Sequence, residues 1–291
     1  MLLSQTHLKT FMPNKLYNIL VPINFTGKNK WAIAKAIEIA NSFDCNIHFV
    51  SIVHQGIVPM LPVEASIFTP YESHVDRLNN YERLKELAAR YSNEICCNGK
   101  IEISVLEGNP EKKLIQYIRD FDMDMVIIGL SKFNLVQRIT SSVSISRLAR
   151  KTNVPVLAVG SSGLIRHFKK IILPLHDEVS MRRIKMATML ARTFRSTIYM
   201  ITLRRENNAA EKIISEALQM VQSISTIPVQ GIILEGKNLA KTTLDFSKKI
   251  NADLIMINPL REFNLPGWWN RLTNRLLSYS SRIPVITMNK H

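Results

Sequence analysis

The chain has 291 residues, 46% of them hydrophobic and 21% charged, with a formal net charge of +15. That length exceeds an ordinary single domain and leaves room for two cores of roughly 140 residues each, while no stretch reaches the ~20 uninterrupted apolar residues of a membrane-crossing helix. Three cysteines, Cys45, Cys96 and Cys97, supply neither a disulfide framework nor a zinc-ligand spacing, which predicts a reducing, cytoplasmic setting.

Residues 1–14 lack the sustained apolar run and the small-residue cleavage site of a secretory signal and are expected to form an N-terminal extension. A buried strand is predicted at 18–24 in YNILVPIN. In the helix that follows, WAIAKAIEIANSF, Ile33, Ile37 and Ala40 form one stripe and Lys35 and Glu38 lie off it. After a second strand at 46–53, residues 56–75 contain several prolines and predict a poorly helical surface loop or flap. Cys96 and Cys97 fall at the end of a helix before Asn98-Gly99 and are expected to be buried or inert. Strands at 101–106, 124–129 and 155–159 complete the first series, with Leu114, Ile115 and Ile118 marking the apolar face of an intervening helix. Gly160, Ser161, Ser162 and Gly163 read as a linker.

The second series places strands at 169–175, 197–203, 229–234, 253–258 and 284–288. Near its end, LPGWWNRLTNRLLSYSSR sets Trp268, Trp269, Leu272, Leu276 and Leu277 at near-helical spacing among Arg271, Arg275 and Arg282. This is read as a helix packing on the sheet or on the other domain, with an anionic membrane surface as the alternative. Charge is uneven: residues 164–291 hold 20 Lys and Arg against 9 Asp and Glu, so the second half is the basic one. Acidic partners would suit it, but no recognition motif accompanies the charge, and neither nucleic acid nor a membrane is the expected partner.

The two series are copies of one pattern. YNILVPIN around Pro22 is matched by KIILPLHD around Pro174; MDMVIIGLSKFN around Asp124 by ADLIMINPLREFN around Asp253; NVPVLAV around Pro155 by RIPVITM around Pro284. The order is preserved, and the segment at 56–75 has no counterpart in the second copy. Alternation of short apolar runs with helical periodicity predicts βαβ units and parallel sheets.

ILVPINFT, EGNPEKKLIQYIRDFDMDMVIIG and SISRLARKTNVPVLAVG together resemble the universal stress protein domain, and the second half resembles it more faintly. The likeness runs from about Tyr17 to Met288. It implies an α/β fold of two tandem open parallel five-stranded sheets, each of order 3-2-1-4-5 with helices on both faces, adenine nucleotide alpha hydrolase-like. The domains would span 15–160 and 161–291, paired about a pseudo-twofold axis.

In such a sheet a ligand sits at the carboxyl ends of the strands where the order reverses, between the first and fourth. The resemblance implies two elements there for ATP: an Asp ending the first strand, and a loop after the fourth reading Gly, two residues, Gly, nine residues, Gly, then Ser or Thr. Glycines let backbone amides approach phosphates closely. In the first copy these positions are Asn24, Gly129, Lys132, Ser142 and Val143, so a single glycine survives. In the second they are His176, Asn258, Arg261, Arg271 and Leu272, with Asp177 one residue late. Lys132, Arg261 and Arg271 read either as cations replacing glycine amides at a phosphate or as solvated residues on a disused rim. Asn24 reads as a hydrogen-bonding group for a nucleoside or as a turn and cap residue.

No nucleophile paired with a base is evident, and the seven histidines are scattered without metal-ligand spacing. Asp177 and Glu178 are expected to begin the following helix, where acidic residues suit the macrodipole. The sequence thus predicts a tandem universal stress protein without enzymatic activity, a binding or signalling module of the stress response with degenerate ATP-binding motifs and no cofactor. The alternative is binding of ATP or another adenine nucleotide in the first cleft. The expected partners are the other domain, a second chain in a homodimer, and an unidentified protein or small ligand.

Overall fold

Ten short apolar runs become ten strands, each within one residue of its predicted ends. The computed structural model of the chain describes residues 15–25, 29–53, 70–130, 145–160, 167–258 and 283–289. The first half contains β1 (Asn18–Ile23), α1 (Asn29–Phe43), β2 (Asn46–Val53), α2 (Pro70–Ser92), β3 (Ile101–Glu107), α3 (Pro110–Asp120), β4 (Met125–Gly129), α4 (Ile145–Thr152) and β5 (Val156–Val159). The second contains β6 (Lys170–Pro174), α5 (Met181–Phe194), β7 (Thr197–Leu203), α6 (Ala209–Gln222), β8 (Val229–Leu234), α7 (Leu239–Lys249), β9 (Leu254–Ile257) and β10 (Val285–Thr287).

Each half has the expected strand order, but the two sheets are not separate. They form one ten-stranded sheet, β3-β2-β1-β4-β5-β10-β9-β6-β7-β8. Every pairing is parallel except β5 with β10, which run antiparallel with Leu157 opposite Ile286. Joining the two fifth strands removes two sheet edges that would otherwise expose unpaired backbone groups. The repeat pattern could not indicate this, because edge pairing between copies leaves no periodicity in either.

Repeated chemistry fixes the register of both halves. Asp124, just before β4, accepts hydrogen bonds at Oδ2 from the backbone N–H of Tyr17 (2.7 Å) and Asn18 (3.0 Å) at the start of β1. Asp253, just before β9, does the same for Lys169 (3.1 Å) and Lys170 (3.0 Å) at the start of β6. Helix starts repeat too: Asn109 caps α3 through Lys112 N and Asn238 caps α7 through Lys241 N.

One apolar core runs through both halves on the α1 and α5 side of the sheet, from Ile19, Ile33 and Phe43 to Leu190, Phe194 and Met288. On the opposite side, α3 and α4 cover the first half around Leu114, Ile118 and Leu148, and α7 covers the second around Leu239, Ala240 and Ile255. Phe43 and Phe194 end equivalent helices of the two halves and meet edge to face, centroids 6.1 Å apart.

Lys35 lies off the α1 stripe yet is only 1% exposed. Its ammonium pairs with Glu38 Oε2 at 2.5 Å and lies 4.8 Å from the Phe168 ring centroid of the second half. Glu38 also meets His167 Nδ1 at 3.0 Å. A helix packed on the sheet by one face and on the other half by another buries more than one stripe, so the single-stripe reading fails here even though Lys30 and Ser42 of the same helix are exposed.

Two further expectations are corrected. The segment at 56–75 is in part helical, since α2 begins at Pro70 and runs 23 residues against 14 for its counterpart α6; residues 54–69 lie outside the described residues. Helix α2 ends at Ser92, so Cys96 and Cys97 sit in the loop beyond it. There Cys96 is exposed and Cys97 half-buried, while Cys45 is buried, its thiol pushed up to about 12, chiefly by desolvation.

Candidate functional site

The order of strands reverses between β1 and β4 in the first half, and between β6 and β9 in the second. The carboxyl ends of these pairs are where the fold presents a ligand.

In the first half β1 runs into Asn24 and Phe25, the latter left-handed at φ 55. Asn29, which opens α1 and is buried, faces back onto this turn. With its amide turned to satisfy both ends, it donates to Asn24 Oδ1 at 2.9 Å and accepts from the N–H groups of Phe25 (2.9 Å) and Asn24 (3.1 Å). The Asn24 oxygen is thereby engaged in closing the β1–α1 turn. Arg83 of α2 stacks over the Phe25 ring at 3.9 Å. Gly129 ends β4 opposite Val159 of β5. Lys132, Ser142 and Val143 lie outside the described residues, as does the linker from 161.

The second half is built differently. Counted back from the equivalent helix ends Phe43 and Phe194, Ala32 in the first half corresponds to Arg183 in the second. Ser180 caps α5 by accepting from Arg183 N at 3.4 Å. The Arg183 side chain turns inward, 4% exposed, and its Nη1 donates to the carbonyls of Pro174 (3.0 Å) and Met256 (3.5 Å). Pro174 ends β6 and Met256 lies in β9, so the guanidinium sits at the carboxyl ends of the two strands that define the reversal. Desolvation alone lowers its pKa to about 10, and it stays cationic at neutral pH. Nε of Arg183 has no hydrogen-bond partner.

Beyond the end of β6, His176 Nδ1 meets Asp177 Oδ2, and Asp177 Oδ1 accepts from Arg205 Nη1 at 2.8 Å. Partial burial would raise the Asp177 carboxyl, but the hydrogen bonds from Arg205 and His176 outweigh it and hold the group below its ordinary value. Asp177 therefore ties the segment after β6 to Arg205, two residues past β7, instead of opening α5, which starts only at Met181. Asn258 follows β9 and is half-buried, its Oδ1 without a partner. Arg261, Arg271 and Leu272, with the Trp268-Trp269 segment, lie outside the described residues.

Sequence reasoning placed Asn24, Gly129, His176 and Asn258 at the strand ends, where they are found. It missed Arg183. The available signal was Met181-Arg182-Arg183 in the first turn of a helix, where cations oppose the macrodipole and need another reason to be present.

A model of the universal stress protein family matches residues 16–160. The chain belongs to the universal stress protein family. A universal stress protein of Methanocaldococcus jannaschii is 22% identical over 151 residues, covering 50% of this chain and 83% of that one. The crystal structure of a universal stress protein from Archaeoglobus fulgidus is similar over 97% of this chain and 100% of its own, with a TM-score of 0.71 and 14% identity. The cytoplasmic domain of a prokaryotic cation chloride cotransporter is similar over 94% of this chain and 96% of its own, with a TM-score of 0.55 and 13% identity. At such identities the structural likeness speaks for the fold alone.

Among the described residues no helix is long and apolar enough to cross a membrane, and no group of three His, Cys, Asp or Glu is placed to hold a metal ion.

Proposed function

We propose that this universal stress protein is a tandem stress-response module that acts by binding or signalling, without catalysis, and that it does not hold ATP as the nucleotide-binding members of its family do. The observation that carries this reading is Arg183. A guanidinium bonded to the carbonyls of Pro174 and Met256 occupies the strand ends where a nucleoside would have to enter.

In the first half the support is weaker in kind but points the same way. Asn24 stands where the ATP-binding members carry an Asp, and its oxygen is engaged by Asn29. An amide also lacks the charge that makes a carboxylate hydrogen bond worth about 1.5–3 kcal/mol. Gly129 and the small Ala32 leave the first cleft the better place for the alternative, an adenine nucleotide bound there. The partner is then an unidentified protein or small ligand, and steep salt dependence of retention on heparin would instead speak for nucleic acid.

The test is nucleotide content. Protein purified without added nucleotide, heat-denatured and cleared by centrifugation, should release no adenine nucleotide on anion-exchange chromatography. Release approaching one nucleotide per chain would refute the proposal.

A further inference from the structure

We infer that the second half carries a small-oxyanion site centred on the Arg183 guanidinium, suited to a phosphate or carboxylate group without a nucleoside attached. The inference rests on the reading above that this cleft does not take a nucleoside, and it names what the cleft takes instead.

The first observation is an uncompensated charge. Arg183 is 4% exposed, and no carboxylate among the described residues lies against it: its contacts are the carbonyls of Pro174 and Met256, through Nη1 alone. A buried cation is costly unless an anion accompanies it, and neutral carbonyls supply only part of that compensation. The neighbouring ion pairs do not reach it, since Asp177 is engaged by His176 and Arg205, and Glu235 by Arg204.

The second is directional. Nε of Arg183 is buried without a partner, and an arginine Nε–H with its neighbouring Nη–H forms the fork that matches two oxygens of a carboxylate or phosphate. Arg183 is the third residue of the 14-residue helix α5, so an anion in that fork would also lie near the positive end of the helix.

The third is that two of the other five unpartnered buried side-chain atoms among the described residues, those of Thr202 and Asn258, belong to the carboxyl ends of the strands beside β6. Met200 and Met256 face the α5 side of the sheet, so Thr202 and Asn258, two residues further along β7 and just past β9, continue that face at its carboxyl end. Thr202 Oγ1 and Asn258 Oδ1 are both buried without partners. A hydroxyl donates to an oxyanion, and an amide oxygen accepts from a ligand hydroxyl or a protonated oxyanion. Native structures seldom leave such groups unpaired without a ligand, ion or water to explain them. The first half, with Ala32 in place of Arg183, has no equivalent.

The experiment uses the full chain and inorganic phosphate, titrated by calorimetry at constant ionic strength against a chloride control. Saturable binding of one phosphate per chain is expected, with affinity at least about ten-fold weaker in Arg183→Met, the loss of one charge-assisted hydrogen bond. If that variant does not fold, Arg183→Lys keeps a cation but removes the fork and is expected to weaken binding by a similar factor. Competition by succinate assigns the site to carboxylates as well as phosphates, and failure to compete assigns it to phosphates. No saturable binding of phosphate or succinate to the wild-type chain up to about 10 mM, which corresponds to an affinity of about 2.7 kcal/mol, would overturn the inference, as would equal affinity in wild type and variants. Adenine nucleotide bound in the first half would refute the functional reading while leaving this result untouched, so the two failures are distinguishable.

Discussion

Replacing Asp124 by alanine removes a carboxylate that accepts two backbone N–H groups, from Tyr17 at 2.7 Å and Asn18 at 3.0 Å. Hydrogen bonds to a charged acceptor contribute about 1.5–3 kcal/mol each, and the donors left behind are poorly placed to find water. Asp124→Ala should therefore lower stability by about 3–5 kcal/mol, allowing for partial relaxation. Asp124→Asn keeps one acceptor oxygen but loses its charge and should cost about half as much. Because Asp253 holds Lys169 and Lys170 at 3.1 and 3.0 Å, Asp253→Ala should match Asp124→Ala to within about 1 kcal/mol. Urea unfolding of the full chain, followed by far-ultraviolet circular dichroism, measures both. A loss below about 1 kcal/mol for either alanine variant, a small fraction of ordinary domain stability, would refute the claim that these twin carboxylates lock β1 to β4 and β6 to β9.

Other outcomes follow from particular contacts. Glu38→Ala strips the carboxylate from buried Lys35 and should destabilise the chain by about 3 kcal/mol, whereas Lys35→Met with Glu38→Met, the residues at the equivalent positions Met186 and Met189, should be neutral or stabilising by thermal melting. Burial lowers the His48 pKa below 6.5, against a weaker opposing pull from Glu102, so at high pH both folded and unfolded forms are neutral and the group contributes no pH dependence. As pH falls through 6.5 the unfolded chain takes the proton first and stability drops; His48→Gln should flatten the urea midpoint between about pH 7 and 5 relative to wild type. In thiol labelling of native protein at pH 8, exposed Cys96 should react and Cys45, its thiol near 12, should stay protected until unfolding; equal rates would contradict its burial.

The strands were legible because each is a short apolar run with its own punctuation, and the repeat was legible because Pro22 and Pro174, Asp124 and Asp253 mark the same places in each copy. What the sequence hid were the contacts between copies. The antiparallel seam of β5 and β10 and the burial of Lys35 both arise where two half-sheets meet, and neither leaves a period to read. At the candidate site, comparison with a phosphate-loop pattern directed attention to the glycine positions, whereas the second cleft is occupied from α5 by Arg183. Its only sequence trace was a pair of cations in a helix's first turn, and the depth of its burial depends on tertiary packing that no local pattern encodes.

The central claim is that this member of the family holds no ATP in either cleft, and titration calorimetry with magnesium and ATP at up to millimolar ligand tests it most directly. Loss of the adenosine carboxylate and of the phosphate-loop glycines removes enough to span the ~4.1 kcal/mol between micromolar and millimolar affinity. The account predicts no saturable heat. A dissociation constant of about 10 μM or tighter, an affinity of roughly 7 kcal/mol, would contradict it.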